Sequence, residues 1–168
     1  MLKNKKGFTL IELIIVVAIM AVLVALLAPN VLKYLEKSKV GKDINTLDSV
    51  RLAIEAELMD EDLCTLKTDG DAAKLQGKLL SAIKSETTGD WGKLSTRLFG
   101  TNRVLDDSFA TTNIFTSTTA KGKNIKVFLD GKGGIAVAAV GSDNKVITYD
   151  GKDLLVSTKI NVADLDCK

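Results

Sequence analysis

Residues 8–28 read FTLIELIIVVAIMAVLVALLA and contain a single charged side chain, that of Glu12. As an α-helix with a rise of about 1.5 Å per residue, this stretch is roughly 30 Å long, which matches the hydrocarbon thickness of a bilayer. It is therefore predicted to be a helix that meets lipid or other apolar helices, rather than part of a soluble core.

The composition of the whole chain agrees with this placement of apolar residues. Hydrophobic residues make up 46% of the 168 residues, yet aromatic residues make up only 5%. Globular cores usually bury large aromatic side chains, so much of the apolar excess belongs to residues 8–28. The chain has no histidine, which excludes histidine-based metal sites and serine–histidine or cysteine–histidine nucleophiles.

Three lysines, Lys3, Lys5 and Lys6, precede the apolar stretch. By the positive-inside rule the N-terminus stays in the cytoplasm and the remainder is exported. An ordinary secretory signal peptide is a poorer interpretation, because its apolar region is shorter and because Pro29 follows the only suitable cleavage point, Ala28. A simple membrane anchor fits the length but gives no reason for Glu12, a costly residue inside a membrane.

The junction Lys5-Lys6-Gly7-Phe8-Thr9-Leu10-Ile11-Glu12-Leu13, followed by an unbroken apolar run, resembles that of a type IV prepilin. A short basic leader, Met1 to Gly7, ends in glycine and is followed by Phe8. Glu12 lies four residues after Phe8, and Pro29 stands where type IVa pilins also carry proline. The motif covers about 30 residues, and the helix-then-strands plan described below extends the resemblance to the whole chain.

The resemblance implies a processing pathway. A prepilin peptidase cuts between Gly7 and Phe8 on the cytoplasmic side and N-methylates Phe8. The leader is then residues 1–7, the transmembrane or filament-core helix is residues 8–29, and the extracytoplasmic globular domain is residues 30–168. The resemblance implies no cofactor and no enzymatic activity.

The resemblance also implies partners and a location. The subunit first spans the membrane once, with its N-terminus in the cytoplasm and lipid around its helix. An assembly ATPase and an inner platform protein then move it into an extracellular pilus of identical subunits. Glu12 is expected to pair with the Phe8 amine of a neighbouring subunit and to set the axial register. Such filaments serve adhesion, motility, aggregation, biofilm formation or DNA uptake.

Beyond Pro29 the apolar residues follow a helical period, at Val40, Ile44, Leu47, Val50, Ile54 and Leu58. A long helix is therefore predicted over about residues 8–62, with its second half packed on a sheet. Pro29 removes a backbone hydrogen bond, so a kink or local melting is expected there. In the resembled family, the segment matching Ala21–Pro29 can lose its helical structure in the filament.

The remaining sequence predicts an α+β domain, which is the plan of the pilin fold. A short second helix is predicted over residues 71–85, in the loop between helix and sheet. Four strands are predicted over 125–130, 135–140, 145–149 and 154–160, and their short Gly/Asp/Asn connections predict an antiparallel meander with one face to bury. A connector joins the second helix to the first strand. Its aromatic residues, Trp91, Phe99, Phe109 and Phe115, are predicted to fill the core.

Cys64 and Cys167 are the only cysteines. Export permits a disulfide between them, and many pilins carry one, although usually with both cysteines in the C-terminal part. Two free thiols remain the alternative.

The Asp-rich turns lack the spacing of a calcium loop and are explained by turn chemistry. The Ser/Thr-rich residues 108–119 are interpreted as a solvated loop, with exposed O-glycosylation as the alternative.

Charge separates the leader from the exported part. The precursor has a formal charge of +2, and loss of Lys3, Lys5 and Lys6 leaves 20 basic and 21 acidic residues, a net −1. A simple electrostatic hold on nucleic acid is therefore not expected. Two functions besides the pilus subunit stay open: a pseudopilin of a type II secretion or competence system, and a binding domain on a simple N-terminal membrane anchor.

Overall fold

The computed structural model describes residues 7–59, 63, 77–100, 104–130 and 134–160. These residues form a long N-terminal helix, short helices and an antiparallel sheet, which confirms the predicted α+β class. The chain divides into two units, Met1–Lys37 and Ser38–Lys168, and each is described in turn.

Helix α1 runs from Leu10 to Leu58 and therefore belongs to both units. It begins two residues later than predicted, and residues 60–62 at the predicted end lie outside the described residues. The helix continues through Pro29, so the local melting expected at this position does not occur in the single chain. One missing hydrogen bond is tolerated because well-formed turns flank the proline on both sides.

In the C-terminal unit, one face of α1 is buried against the core. Its buried residues are Val40, Asp43, Leu47, Val50, Ala53, Ile54 and Leu58. The predicted apolar stripe is correct except at one position: Ile44 is only half-buried, and Asp43 is fully buried beside it. Thus the Asp43 side chain is fully buried at the point on the helix face where the helical period predicts the apolar side chain of Ile44.

Asp43 is buried because its carboxylate is satisfied by a distant loop. Its Oδ1 accepts hydrogen bonds from the Thr116 N–H (2.8 Å) and the Thr116 hydroxyl (3.0 Å), and its Oδ2 accepts one from the Ser117 N–H (2.9 Å). A buried carboxylate is tolerated when donors surround it in this way. The three bonds join α1 to the Ser/Thr-rich loop across more than 70 residues of sequence.

The main sheet has four antiparallel strands in the order β1-β2-β3-β6. Their bounds are Lys78–Leu79 for β1, Asn124–Leu129 for β2, Ile135–Val140 for β3 and Leu155–Thr158 for β6. Strands β2 and β3 match the first two predicted strands within one residue. The expectation of four consecutive strands is wrong, because β1 comes from the segment between helix α1 and β2, and most of one predicted strand lies outside the main sheet.

That strand, predicted over 145–149, is divided: Val146 forms an isolated bridge with Val140 of β3, and only Thr148–Tyr149 form a strand, in a separate small hairpin. Strand β4, Thr148–Tyr149, pairs with β5, Lys152–Asp153. The two residues between them, Asp150 and Gly151, have φ values of 52° and 74°. Positive φ at both residues is typical of the two-residue turns that connect the strands of a β-hairpin. The chain then returns, and β6 pairs directly with β3.

Both faces of the main sheet are buried, which corrects the expectation of a single buried face. One face joins the buried residues of α1 in the main core. The opposite face forms a second cluster of Phe128, Ala136, Ala138, Val140 and Ile160. Every residue of β3 is buried, and its near-continuous apolar sequence, IAVAAV, fits a strand covered on both sides.

The region between helix α1 and the sheet differs most from the prediction. Of the predicted helix over 71–85, residues 71–76 lie outside the described residues, Lys78–Leu79 are strand, and only Leu80–Lys84 form a helix, α2. A further helix, α3, spans Gly89–Phe99 and was not predicted. The aromatic prediction holds: Phe99 and Phe115 are buried, and Trp91 and Phe109 pack against the core.

Replacing Asp43 with alanine should lower the free energy of unfolding by about 1–3 kcal/mol, because the buried N–H group of Ser117 would lose its acceptor and the exposed Thr116 would lose its bonds to the carboxylate. Asp48→Ala is the matched control on the same helix. Asp48 is half-buried, and its side chain, which is 42% exposed, pairs with Arg51 at 2.9 Å. An ion pair whose carboxylate still meets water contributes about 1 kcal/mol or less. Urea unfolding of the full chain in detergent, followed by Trp91 fluorescence, measures both. Equal stability of the two variants would contradict the role given to Asp43.

Candidate processing and assembly site

The residues predicted for processing lie immediately before helix α1. Gly7, Phe8 and Thr9 are not helical, and all three are exposed. The Phe8 side chain is 91% exposed, so nothing in the described chain packs against it closely. Among the described residues, no atom lies within 4 Å of a Cβ atom added at Gly7. The packing of this part of the chain therefore does not require a glycine at position 7.

Glu12 folds back onto Thr9 rather than standing alone. Its Oε2 accepts hydrogen bonds from the Thr9 N–H and from the Thr9 hydroxyl, each at 2.8 Å. The Glu12 N–H in turn donates to the Thr9 Oγ1 at 3.3 Å. Because α1 begins at Leu10, Thr9 is the N-cap residue and Glu12 is the third helical residue, which is the geometry of a capping box.

This capping box was not predicted, although its signal is present in the sequence. The pattern Ser/Thr-x-x-Glu before an apolar run is a recognised start of a helix, and Thr9-Leu10-Ile11-Glu12 fits it. Both bonds from Thr9 end on the same carboxylate oxygen, Oε2. For Oε1, no hydrogen bond or ion pair is found within the part of the chain that the structure describes.

The apolar part of α1 is open to its surroundings. Every residue from Gly7 to Leu35 is exposed, including large side chains such as Leu10, Ile14, Leu26 and Leu32. By length and composition, this helix can cross a membrane. Since its apolar side chains are exposed, it is not the buried core helix of a soluble protein.

Pro29 lies within this exposed helix, 17 residues beyond Glu12 and so about 25 Å along the axis. The structure therefore does not bring the predicted assembly residues Glu12 and Pro29 together.

Cys64 and Cys167, predicted as a possible disulfide, both lie outside the described residues. Among the described residues, no group of three or more Asp, Glu or Cys side chains is placed to hold a metal ion.

Comparison with known proteins identifies relatives of both the motif and the longer chain. A family profile described as the prokaryotic N-terminal methylation motif matches residues 2–28. A type IV major fimbrial protein FimA of Dichelobacter nodosus is 30% identical over 128 residues, which cover 61% of this chain and 80% of that protein. No solved structure gives a significant match.

Other relatives match mainly the N-terminal region. Another FimA protein of Dichelobacter nodosus is 38% identical over 71 residues, 42% of this chain and 44% of that protein. A fimbrial protein of Pseudomonas aeruginosa is 36% identical over 59 residues, 35% of this chain and 38% of that protein. The chain thus spans less than half the length of the first relatives it matches.

Replacing Thr9 with valine should speed amide hydrogen exchange of Glu12 by about fivefold, since loss of an N-cap hydroxyl weakens the first helical turn by about this factor. Thr9→Ser keeps the hydroxyl and should leave the rate within about twofold of the native one. Exchange is measured by NMR on the full chain in micelles. An unchanged rate in Thr9→Val would argue against the capping box.

Proposed function

We propose that this chain, which belongs to the type IV pilin family, is a structural subunit of a type IV pilus. It is inserted in the membrane as a precursor, cleaved after Gly7, N-methylated on Phe8 and polymerised into a helical surface filament. The observation that carries the proposal is the exposed apolar part of helix α1, Leu10–Leu35, most of which lies within the methylation motif matched over residues 2–28. The family is a structural one, and the chain is accordingly assigned no enzymatic role.

The geometry around Gly7 supports cleavage at this bond. The Gly7–Phe8 peptide lies in an exposed, non-helical segment, where a peptidase can bind an extended backbone. Since the packing around position 7 has room for a side chain, the glycine is best explained by the fit of another molecule. We assign that molecule to the prepilin peptidase.

Glu12 supports the assembly step. Cleavage creates an ammonium or methylammonium group on Phe8, and Glu12 has one carboxylate oxygen, Oε1, that Thr9 does not use. In the filament, this oxygen accepts a charge-assisted hydrogen bond from the Phe8 amine of a neighbouring subunit. A buried charge pair is sensitive to position, so it sets the axial register between subunits.

The exposed apolar side chains supply the filament core. Their hydrophobic gain over lipid is small, because lipid tails are equally apolar, so close packing between helices must select the geometry. The β-branched residues of this segment have few rotamers to lose and suit such packing. Pro29 and the preceding turns are the place where the helix can adjust in the filament.

The remaining partners follow from this pathway: membrane lipid before assembly, then the inner platform protein, the assembly ATPase and identical subunits. Before assembly the chain spans the membrane once with its N-terminus in the cytoplasm, and afterwards it is extracellular. The fimbrial names of its relatives favour a pilus subunit over a secretion pseudopilin or a simple anchored binding domain. Adhesion, motility, aggregation and biofilm formation are the processes such a filament serves.

Glu12→Ala and Glu12→Gln should both abolish surface filaments while leaving cleavage and membrane insertion intact. The glutamine variant is the more informative one, because it keeps an acceptor for the Thr9 cap and removes only the negative charge. Glu36→Ala, with the same loss of charge on the same helix, should still form filaments. Electron microscopy and immunoblots of membranes provide the readout. Normal filaments from Glu12→Gln would exclude the charge pair.

Intact mass spectrometry of the subunit from sheared filaments should give the mass of Phe8–Lys168 plus one methyl group. An intact Met1 would instead support the simple membrane anchor. The same spectrum, taken before and after reduction, shows whether Cys64 and Cys167 are bonded, because a disulfide lacks two hydrogen atoms.

A further inference from the structure

The longest uncharged stretch of the chain is Leu13–Leu32, and a charge stands at each end: Glu12 before it and Lys33 after it. Twenty helical residues measure about 30 Å, the thickness of the hydrocarbon core. We infer that the bilayer around the unassembled precursor covers Leu13–Leu32, and not Phe8–Ala28, which begins at the cleavage site. This inference rests on the membrane-resident precursor proposed above.

The start of α1 sets the inner boundary. The first N–H groups of any helix lack partners one turn back, and hydrocarbon offers them no acceptors. Gly7, Phe8 and Thr9 are non-helical, so their backbone groups also need polar surroundings. The capping box of Thr9 and Glu12 satisfies only part of this demand. The helix therefore starts among headgroups and water, with Leu13 as the first embedded residue.

The outer boundary is marked by Lys33 and Tyr34. Both are exposed, and Tyr34 exposes 73% of its surface. Tyrosine rings and lysine stems place an apolar body in lipid and a polar end in the headgroups. Lys37 is four residues beyond Lys33 and so lies on the same helix face. The two ammonium groups are placed to bind phospholipid phosphates.

The alternative register, Phe8–Ala28, fits these residues less well. It would bury the Glu12 carboxylate about 6 Å inside the hydrocarbon and leave Val31, Leu32 and Leu35 exposed outside it. The proposed register does embed Pro29 and Asn30. Proline is tolerated in membrane helices, and Asn30 is then only about 3 Å from the outer boundary, where headgroup oxygens can reach its amide.

The shifted register has a consequence for assembly. In the membrane, Glu12 is solvated at the cytoplasmic interface and needs no cationic partner. The Gly7–Phe8 bond lies outside the hydrocarbon and is open to a peptidase. Only entry into the filament moves the carboxylate among apolar helices, so the demand for a Phe8 amine arises at that step.

Tryptophan depth in vesicles tests the register. The uncleaved full chain is reconstituted in phosphatidylcholine–phosphatidylglycerol vesicles at three to one, in a Trp91→Phe background that removes the only native tryptophan. Tryptophan is then placed at Ala18, Val22 or Tyr34, one site per variant, and quenched by lipids brominated deep or shallow in the acyl chain. Val22 is at the centre of Leu13–Leu32, and Ala18 is at the centre of Phe8–Ala28, about 6 Å away.

The expected result is strongest deep quenching at Val22→Trp and weaker deep quenching at Ala18→Trp, which lies about 6 Å, one fifth of the hydrocarbon thickness, farther toward the cytoplasmic side. Shallow lipids should quench Tyr34→Trp best. Deepest quenching at Ala18 would overturn the register, and a water-like, unquenched Tyr34→Trp would overturn the outer boundary. Absence of quenching at all three sites would instead overturn the membrane-resident precursor itself.

Moving a boundary charge supplies an independent check. Glu12→Leu extends the uncharged stretch back to Gly7, so the position of deepest quenching should move by about two to three residues, roughly 4 Å, toward Ala18. Lys37→Leu is the matched control, because the stretch still ends at Lys33, and it should produce no shift. Equal profiles for Glu12→Leu and the parent would contradict the inner boundary.

Discussion

The central constraint on this molecule is an apolar helical surface that no other described residue of the chain covers. Every residue from Gly7 to Leu35 is exposed, and soluble monomers rarely expose apolar patches of more than a few hundred Å². The surface must therefore meet lipid or other subunits at every stage. In the proposed pathway, the basic leader, cleavage after Gly7 and close packing in the filament transfer this surface from lipid to other subunits.

The C-terminal unit has a different requirement, which is a fixed rotation of α1 against the sheet. Apolar contacts alone specify this rotation weakly, since apolar neighbours can replace one another at little cost. Asp43 specifies it strongly. A turn of the helix by one residue would bring the half-buried Ile44 to its place and leave the N–H groups of Thr116 and Ser117 without acceptors. The loop and the helix therefore hold each other in one arrangement.

The sequence predicts those features that local patterns determine. The junction around Gly7 and Phe8, the helical period after Pro29, and the glycine-bounded strands β2 and β3 are of this kind. Asp43 could not be found by counting apolar residues, because Ile44 fits the same period and the donors are over 70 residues away. Helix α3 was missed because Gly89 and Gly92 lower its helix propensity, although Trp91, Leu94 and Leu98 have helical spacing. The pairing of β6 with β3 could not be predicted either. It depends on the hairpin that the Asp150-Gly151 turn closes and on contacts with β3, which is distant in sequence.

The site itself shows why a glutamate suits position 12. Its carboxylate caps its own helix through Oε2 and still has Oε1 for a cation from another chain. Glutamine could cap the helix but could not neutralise an ammonium group, and aspartate is one methylene shorter for the return to Thr9. Under the proposed function, a single side chain would thus serve both the folded precursor and the assembled filament. Because Glu12 stands at the edge of the uncharged stretch, the proposed register leaves it at the membrane interface until a cationic partner offsets the cost of burial.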